Sequence, residues 1–438
     1  MASVTKKHQG YLIRVSNGKD INGKRIYINE MYFPTAKSET AQKKEAQKYA
    51  DELERRIKNG EAYNLQGLTL ADFYQKWKTE LAPNYLTQSV REQYMDIMEK
   101  RFLPELGNTN IASIQPMVLQ KLITRWDKEE HLKPRSIKGY TAVLSSVMHQ
   151  AYNMRLIKEN PVSRLMLPKV ITDSEEIHTF TIEQAKAFLS GLEDEYTIYH
   201  RKHERTLKSN GKRYSVPSYT RTVTIGTMWI AYFYLALFSG ARRGECVTLT
   251  WNDIDFVHNT VNITKATAIT KSGQITKDPK TKAGRREIML PSVVFEKLNE
   301  WKQEQRKHAE GIGDEWKGET GIDFEENYIF TQDNGKQLDV HTPTHKFKEI
   351  LAMYNSSVSE AEKLPEITLH DLRHCTASLL IASGIDVAEV TRMLGHSKIS
   401  ITLDTYTHAL RGKSEHISNT LEALLTIEKE SEANIIMA

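Results

Sequence analysis

Residues 68–167 constrain the fold most, because helix-forming patterns follow one another there with only short breaks. The predicted helices of this stretch cover residues 69–81, 87–101, 116–127, 134–154 and 160–166. Pro104, Gly107 and the Asn160-Pro161 step separate them, and connections this short bring neighbouring helices into contact. The sequence therefore predicts a compact all-helical bundle. Since 438 residues exceed what one ordinary hydrophobic core serves, we expect further domains on both sides of it.

A small antiparallel sheet is predicted ahead of the bundle. Residues 10–34 contain alternating apolar and polar stretches, broken by two Asn-Gly pairs that favour hairpin turns. A helix over residues 40–58 covers one face of this sheet. The other face stays open and carries Arg14, Lys24 and Arg25. An open basic sheet of this kind can enter a DNA groove; the alternative is that these charges serve only folding.

The positive charge of the chain is concentrated in two stretches. The formal net charge is only +4, but residues 1–66 hold 13 Lys and Arg against 8 Asp and Glu. Residues 201–221 hold seven Lys and Arg and a single acid, Glu204. Clustered positive charge neutralises phosphates and releases counterions. A solvated surface is the alternative for either stretch.

Composition and cysteine content predict an intracellular, cytoplasmic protein without membrane contact. Cys246 and Cys375 are the only cysteines, too few for a disulfide framework, which fits a reducing compartment. The longest wholly apolar run, residues 228–238, has 11 residues, far short of the ~20 that span a bilayer. No apolar segment of a signal peptide follows Lys6 and Lys7.

A larger domain of mixed helices and strands is predicted after a polar linker at residues 169–178. This domain spans residues 179–427, and an acidic tail, residues 428–438, follows it. Within it, residues 223–239 form a buried helix that Gly240 ends. Three short strands follow at residues 255–257, 261–265 and 286–290.

Cations, imidazoles and a phenol recur at short spacings near the end of this domain. His370 and Arg373 lie three apart on one helix face, His396 follows a helix end at Gly395, and Tyr406 comes ten residues later. Arginine binds two phosphate oxygens and stays charged, and histidine accepts a proton near neutrality. A deprotonated tyrosine can attack phosphorus. The cluster therefore predicts attack of the phenol on a phosphodiester.

Two upstream segments add cations to this cluster. The predicted buried helix stops at Gly240, and Arg242 follows at once. Further along, the basic sequence P-K-T-K-A-G is predicted as a hairpin loop between two strands. Lys280 in this loop can protonate a leaving oxygen as a general acid.

The histidine helix also allows a metal-site interpretation. His370 and His374 are four apart, with Asp371 where the two-histidine helix of zinc hydrolases has a glutamate. Arg373 beside them would repel a dication, and no third ligand follows at the usual spacing. A helix with two surface histidines is the plain alternative.

The motifs G-A-R-R-G-E, P-K-T-K-A-G-R-R, H-D-L-R, L-G-H and T-Y-T-H, in this order, resemble the tyrosine recombinase (phage integrase) family. The match is closest to integrases of temperate phages and conjugative transposons. The resemblance implies a multidomain, mainly α-helical protein. Its parts would be an arm-type DNA-binding domain of a small sheet and a helix at residues 1–66, a helical core-binding (SAM-like) domain at residues 67–168, and a mixed α+β catalytic domain at residues 179–427.

The resemblance also implies roles for the charged residues. Arg242 matches the first arginine of the G-x-R-x-x-E motif, and Arg373 matches the arginine of H-x-x-R; both would bind the non-bridging oxygens of the scissile phosphate. The register of G-x-R favours Arg242 over its neighbour Arg243. Glu245 matches a supporting acid that orients an arginine rather than reacting.

The remaining implied roles concern proton transfer and the nucleophile. Lys280 matches the lysine that protonates the departing 5′ oxygen, with Lys282 as the alternative because loop length varies in the family. His370 would assist proton transfer, and His396 would hydrogen-bond the phosphate. Tyr406 would form the covalent 3′-phosphotyrosyl link.

These roles imply a site-specific DNA recombinase of a mobile element in a bacterial host, acting at the nucleoid. It would act as a homo-tetramer on paired core and arm sites of double-stranded DNA, with no metal or other cofactor, and a directionality factor or DNA-bending protein is a possible partner. The alternatives are a DNA-binding protein of the same fold that does not cleave, and a topoisomerase resembling type IB.

Overall fold

The computed structural model describes residues 2–8, 10–19, 25–58, 68–169, 179–206, 211, 213–279, 282–400 and 402–403. The chain divides into two compact units, Met1–Asp173 and Ser174–Ala438. Each unit is described by itself below.

The first unit begins with a three-stranded antiparallel sheet in the order β1-β2-β3 and one helix. These elements are β1 (Ser3–Lys7), β2 (Gly10–Lys19), β3 (Arg25–Tyr32) and α1 (Glu39–Lys58). Ile13 and Val15 of β2 are buried together with Ala50 and Leu53 of α1. The predicted sheet and covering helix are thus confirmed, with one further strand at the N-terminal side.

The predicted basic face of this sheet is only partly described. Arg14 is exposed, and its guanidinium carbon lies 4.0 Å from the centroid of the Tyr27 ring. Arg25 is also exposed. Lys24 lies outside the described residues. The structure therefore places two of the three predicted cations at the surface.

The helical part of the first unit follows most of the predicted pattern, with a first difference near Pro83 and Pro104. Its helices are α2 (Leu70–Lys76), α3 (Ala82–Tyr85), α4 (Gln88–Ile97), α5 (Leu103–Leu106), α6 (Pro116–Lys128) and α7 (Pro134–Asn153). Wide π-helical turns, Trp77–Leu81 and Met98–Phe102, continue α2 into α3 and α4 into α5. Pro83 and Pro104 follow these turns. Proline lacks an N–H and clashes with the carbonyl four residues earlier, and a wider turn accommodates both effects without ending the helix.

The helix predicted at residues 160–166 is wrong. The structure has a short 3₁₀ turn there, Pro161–Arg164, in which the Asn160 side chain accepts a hydrogen bond from the Val162 amide. Asparagine followed by proline favours such a capped turn over a longer helix.

The second unit combines helices with several small sheets. The helices are α8 (Ile182–Gly191), α9 (Thr227–Ser239), α10 (Arg243–Cys246), α11 (Ser292–Ile312), α12 (Thr342–Ser357), α13 (Asp371–Ala382) and α14 (Val387–Leu394). The strands are β4 (Glu195–His200), β5 (His203–Thr206), β6 (Arg213–Val216), β7 (Tyr219–Thr224), β8 (Ile254–Asp255), β9 (Thr260–Ile263), β10 (Ala266–Thr270), β11 (Gly273–Lys277) and β12 (Arg286–Met289). The predicted fold class, mainly helical with small sheets, is confirmed.

The three strands predicted at residues 255–257, 261–265 and 286–290 are present as β8, β9 and β12, and with six further strands the described residues of this unit form four antiparallel groups. β12, β9 and β8 form one sheet in that order, and β10 pairs with β11. The pairs β4–β7 and β5–β6 were not predicted, and they contain most of the basic stretch 201–221. Because β11 and β12 belong to different sheets, the predicted hairpin loop at residues 279–284 is instead a connection between two sheets.

Helix α9 is the buried centre of the second unit. Most of its side chains are less than a tenth exposed, because the segment is apolar on every face. It begins at Thr227 rather than at the predicted residue 223, since β7 extends to Thr224. Gly240 ends it in the left-handed conformation, at φ 58°, as predicted. The chain therefore turns sharply just before Arg242.

Within the described part of the chain, no helix combines the length and apolar character needed to cross a membrane.

Candidate active site

Arg242 follows the end of α9, and its side chain points to solvent while staying tethered. Its Nη1 donates to Oε1 of Glu245 at 2.9 Å, and its backbone N–H donates to Oε2 of the same carboxylate at 2.8 Å. The Arg242 side chain is 42% exposed, whereas that of Glu245 is 5% exposed. A buried carboxylate thus holds a half-exposed guanidinium in one place.

Glu245 has a second cationic partner, Arg286 at the start of β12. Nη2 of Arg286 donates to Oε2 of Glu245 at 2.8 Å. Burial alone would raise the pKa of Glu245, but its hydrogen bonds and charge pairing with Arg286 and Arg242 hold that pKa below the ordinary value. Glu245 is therefore ionised near neutral pH and binds two arginines at once. Sequence reasoning predicted the contact with an arginine but missed Arg286.

Arg373 lies on α13 and is almost fully buried, at 3% exposure. Its Nη1 donates to the carbonyl oxygen of Gly240 at 2.7 Å, and its Nη2 donates to that of Leu394 at 2.6 Å. These carbonyls belong to the ends of α9 and α14. Arg373 therefore joins the segment before Arg242 to the segment before His396.

A cavity of about 400 Å³ opens beside these arginines. Its lining includes Arg242, Arg243, His370 and Arg373. The guanidinium of Arg243 donates to the hydroxyl of Thr344 at 2.6 Å, whereas that of Arg242 bonds only to Glu245 among the hydrogen bonds described. Three guanidinium groups and an imidazole therefore border one recess, which favours an anionic ligand.

His370 immediately precedes α13, where the sequence places it one turn from Arg373. Burial and the neighbouring charge of Arg373 lower the pKa of His370 below its ordinary value. The ring of His374 lies 5.1 Å from that of His370, and burial with this neighbour lowers the pKa of His374 as well. Both imidazoles are thus neutral near pH 7. Among the described residues there is no group of three or more His, Cys, Asp or Glu placed to hold a metal ion.

His396 emerges just past α14, as predicted, because Gly395 takes the left-handed conformation at φ 68°. Its Nδ1 lies 2.9 Å from the hydroxyl of Thr402, which is fully buried. Burial, with the charges of Arg373 and Arg242, lowers the pKa of His396 to about 4. His396 is therefore neutral, fixed through one ring nitrogen, and near both arginines.

Two of the predicted reactive groups lie outside the described residues, namely Lys280 and Tyr406. The backbone of Lys282 is described, and it begins a 3₁₀ turn, Lys282–Gly284. The structure thus brings together Arg242, Glu245, Arg373, His370 and His396.

Three guanidinium groups and the neutral imidazole of His370 in one recess suit a phosphate ester. The guanidinium groups can stabilise negative charge that develops on phosphate oxygens. Neutral imidazoles can accept or donate a proton near pH 7. The arrangement can therefore stabilise displacement at phosphorus by a nucleophile brought to the cavity.

The chain matches known proteins over both parts of this architecture. The pattern defining the phage integrase family matches residues 217–412, and that of the phage integrase N-terminal SAM-like domain matches residues 69–126. A tyrosine recombinase described as XerC-like, from Caldanaerobacter subterraneus subsp. tengcongensis, is 26% identical over 94% of this chain and 96% of its own length. The ICEBs1 integrase of Bacillus subtilis is 22% identical over 97% of this chain and 100% of its own.

The fold has solved counterparts as well. A structure of the Tn1549 transposon integrase in complex with a circular intermediate DNA covers 80% of this chain and 99% of its own, with a TM-score of 0.59 and 21% identity. At this identity the likeness establishes the fold. The two family patterns, with the relatives matched over nearly their whole length, confirm the family predicted from the motifs: the chain belongs to the tyrosine recombinase (phage integrase) family.

Proposed function

We propose that this protein cuts and rejoins DNA at specific sites of a mobile element through a covalent link between Tyr406 and a 3′ phosphate. The observation that carries this proposal is the cavity bordered by Arg242, His370 and Arg373, with Arg242 tethered by the buried Glu245. A cation held in place before the substrate arrives needs no reorganisation when charge develops on the phosphate.

The chemical step is a displacement at phosphorus. The phenolic oxygen of Tyr406 forms a bond to the phosphorus, and the bond from phosphorus to the 5′ oxygen breaks. The phenol gives its proton to the neutral imidazole of His370, and the 5′ oxygen gains one from Lys280 or Lys282. The phosphotyrosyl bond keeps the energy of the cleaved strand, so a free 5′ hydroxyl can reverse the reaction and join a new partner.

The two arginines and His396 bind the phosphate during this step. Arg242 offers a half-exposed guanidinium, and Arg373 binds the carbonyls at the ends of α9 and α14. His396 uses Nδ1 for its contact with Thr402, which leaves Nε2 for a phosphate oxygen. Its low pKa keeps the imidazole uncharged, so it acts as a hydrogen-bonding group rather than as a third cation.

The DNA-binding arrangement is also part of this proposal. We assign residues 1–66 to arm-type sites, residues 67–168 and 179–427 to core sites, and recombination to a homo-tetramer on paired duplexes in the cytoplasm of a bacterial host. The relative described as the Tn1549 transposon integrase was solved with a circular intermediate DNA, which supports duplex DNA as the substrate. Exposed Arg14 and Arg25 on the N-terminal sheet are consistent with contact to phosphates.

A covalent-capture experiment tests the proposal. The full chain is incubated with duplexes of random sequence, and DNA that stays bound after denaturation is sequenced; cleavage sites should emerge from this pool. Tyr406→Phe should bind the selected duplex with unchanged affinity and trap none of it, while Tyr152→Phe, at an exposed tyrosine of α7, serves as the matched control. Covalent adducts that persist in Tyr406→Phe would exclude the assigned nucleophile.

A two-site substrate then distinguishes recombination from other uses of the same chemistry. Exchange of flanking sequences between two selected duplexes supports a recombinase. Relaxation of a single supercoiled duplex without exchange would indicate a topoisomerase, and binding without any adduct would indicate a DNA-binding protein that does not cleave.

A further inference from the structure

Arg286 is a buried cation to which the chemistry above gives no role. Its side chain is 6% exposed. The guanidinium donates three hydrogen bonds. Nη2 donates to Oε2 of Glu245 at 2.8 Å, Nε donates to the carbonyl oxygen of Met393 at 2.6 Å, and Nη1 donates to the carbonyl oxygen of Gly284 at 3.2 Å. These acceptors belong to three different segments of the second unit.

Each acceptor is adjacent to a residue of the site. Glu245 also holds Arg242. Met393 lies in the last turn of α14, two residues before the left-handed Gly395 that His396 follows. Gly284 closes the 3₁₀ turn that begins at Lys282. One side chain therefore connects the segments that carry an arginine, a histidine and a lysine of the site.

We infer that Arg286 is a positioning residue of the strand-transfer reaction, which sets Arg242 through Glu245 and ties the His396 turn and the lysine-bearing turn to the same strand. This inference rests on the proposed function. It assigns Arg286 no contact with DNA or with the reacting atoms.

The strand register gives Arg286 this position. Arg286 of β12 pairs with Ile263 of β9. Because successive residues of a strand face opposite sides of the sheet, the next residue of β12, Glu287, faces the other side, and it is exposed. The planar fork of arginine serves several acceptors in fixed directions at once. A lysine at this position keeps the charge and can reach Glu245, but it offers one nitrogen and cannot keep all three contacts.

Arg286 holds the carboxylate of Glu245, and this carboxylate in turn holds the guanidinium of Arg242. The Glu245 carboxylate is 5% exposed, and its Oε2 is shared between the Arg286 guanidinium and the Arg242 amide. Without Arg286, a buried carboxylate keeps only half of its cationic partners. The tether of Arg242 then loosens, and a displacement of about 1 Å in a phosphate-binding group lowers a rate by roughly 100-fold.

The experiment compares Arg286→Met with a matched variant of the neighbouring arginine. Arg285 is 61% exposed and pairs with Asp278 at 3.1 Å, so Arg285→Met removes the same side chain from the same segment without touching the site. The readout is the single-turnover rate of covalent complex formation at saturating protein. The probe is the captured duplex, nicked so that the released strand diffuses away.

We expect Arg286→Met to form the complex about 100-fold more slowly than the wild type, and Arg285→Met to stay within about threefold. On a duplex whose scissile phosphate is a methylphosphonate, which lacks the charged oxygen that Arg242 binds, the deficit of Arg286→Met should shrink to within about threefold. Arg286→Met combined with Glu245→Gln should be no slower than the slower single variant, because both act on one tether.

If thermal unfolding shows that Arg286→Met does not fold, Arg286→Lys tests the inference instead. Arg286→Lys should form the covalent complex about tenfold more slowly than the wild type on the phosphate substrate, and its rate should recover on the methylphosphonate substrate. Equal deficits on both substrates, independent losses in the double variant, or an unchanged rate on the phosphate would each overturn the inference. A wild-type protein that forms no adduct would instead remove the proposed function, and the inference with it.

Discussion

The hydroxyl of Thr402 lies 2.9 Å from Nδ1 of His396 and 2.9 Å from the hydroxyl of Thr391. Thr391 has a single hydroxyl proton, and its Oγ1 also lies 2.6 Å from the carbonyl oxygen of Val387, so the hydroxyl chain runs from His396 to the backbone of α14. The contact through Nδ1 holds the imidazole and leaves Nε2 without a part in this chain. Thr402 stands four residues before Tyr406 in the sequence, so His396 is hydrogen-bonded to a residue close in sequence to the proposed nucleophile.

Thr402→Val should slow covalent complex formation about tenfold while leaving DNA affinity unchanged, because the imidazole loses its orienting partner. Thr402→Ser keeps the hydroxyl and is the matched control, with a rate within about threefold of the wild type. Nitrogen NMR of labelled histidine gives the tautomer directly. An unchanged tautomer and rate in Thr402→Val would show that the hydroxyl does not set the imidazole.

The general acid can be identified with a sulfur leaving group. Replacing the 5′ bridging oxygen by sulfur yields a thiolate, with a pKa of about 8.5, that departs without protonation. Alanine in place of the lysine that acts as the general acid, Lys280 or Lys282, should lower the rate of covalent complex formation about 100-fold or more on the oxygen substrate. The same substitution should leave the rate on the sulfur substrate almost unchanged. Alanine at the other lysine should give the same small effect on both. Large and equal deficits on both substrates for each variant would argue against a lysine acid.

Stability should fall as the solution is acidified, with a contribution from His396. The folded protein holds the pKa of His396 at about 4, below its ordinary value, so the unfolded chain binds more protons once the pH falls under about 6.5. The contribution is therefore complete above pH 6.5 and is lost as pH falls towards 4. Between pH 7 and pH 5 we expect about 1 kcal/mol from this half-buried group.

Urea unfolding at several pH values measures this effect. His396→Gln should unfold with a weaker dependence on pH than the wild type. An identical dependence in both proteins would show that another group is responsible.

Gly395→Ala should destabilise the protein by about 2 kcal/mol or more, since it combines a strained φ with a close contact. A Cβ at Gly395 would lie 2.8 Å from the carbonyl oxygen of Ala283 and 3.0 Å from Nη1 of Arg286. Gly321 has a similar φ of 64° and no atom within 4 Å of its Cβ position, so Gly321→Ala reports the strain alone. Equal losses of unfolding free energy in the two variants would mean that the contact near Arg286 is easily relieved.

Helix ends were the features that sequence predicted best in the second unit. Gly240 and Gly395 end apolar helical patterns, and both take the left-handed conformation that glycine allows without strain. Helix starts were less certain. Residues 223–225 are compatible with either strand or helix, and only the pairing of β7 with β4 assigns Val223 to a strand.

The paired strands of residues 195–224 could not be found from periodicity. Most of the described side chains of β5, β6 and β7 are exposed on both faces, so no alternation of apolar and polar residues marks them. Their pairing becomes evident only from the strand register in the three-dimensional structure. The sequence shows that residues 201–221 are basic, but it does not predict that they contribute to paired strands.

The motif order predicted the residues of the site and the supporting acid Glu245, but not the second arginine that binds this acid, Arg286. Arg242, His370, Arg373 and His396 carry the family resemblance, and the described structure brings them together. Arg285 and Arg286 are indistinguishable in sequence, because only the register of β12 against β9 decides which one turns inward. The buried role of Arg286 therefore required the three-dimensional arrangement.

Arg373 has a practical consequence for preparing inactive protein. Its guanidinium hydrogen-bonds the carbonyls that end α9 and α14, so a shorter side chain would leave two buried acceptors without partners, at about 1–3 kcal/mol each. A protein silenced at Arg373 would thus differ from the native one in its scaffold as well as in its charge. Trapping an intact complex with DNA for crystallography or cryo-electron microscopy is better attempted with Tyr406, the proposed nucleophile, replaced and Arg373 left in place.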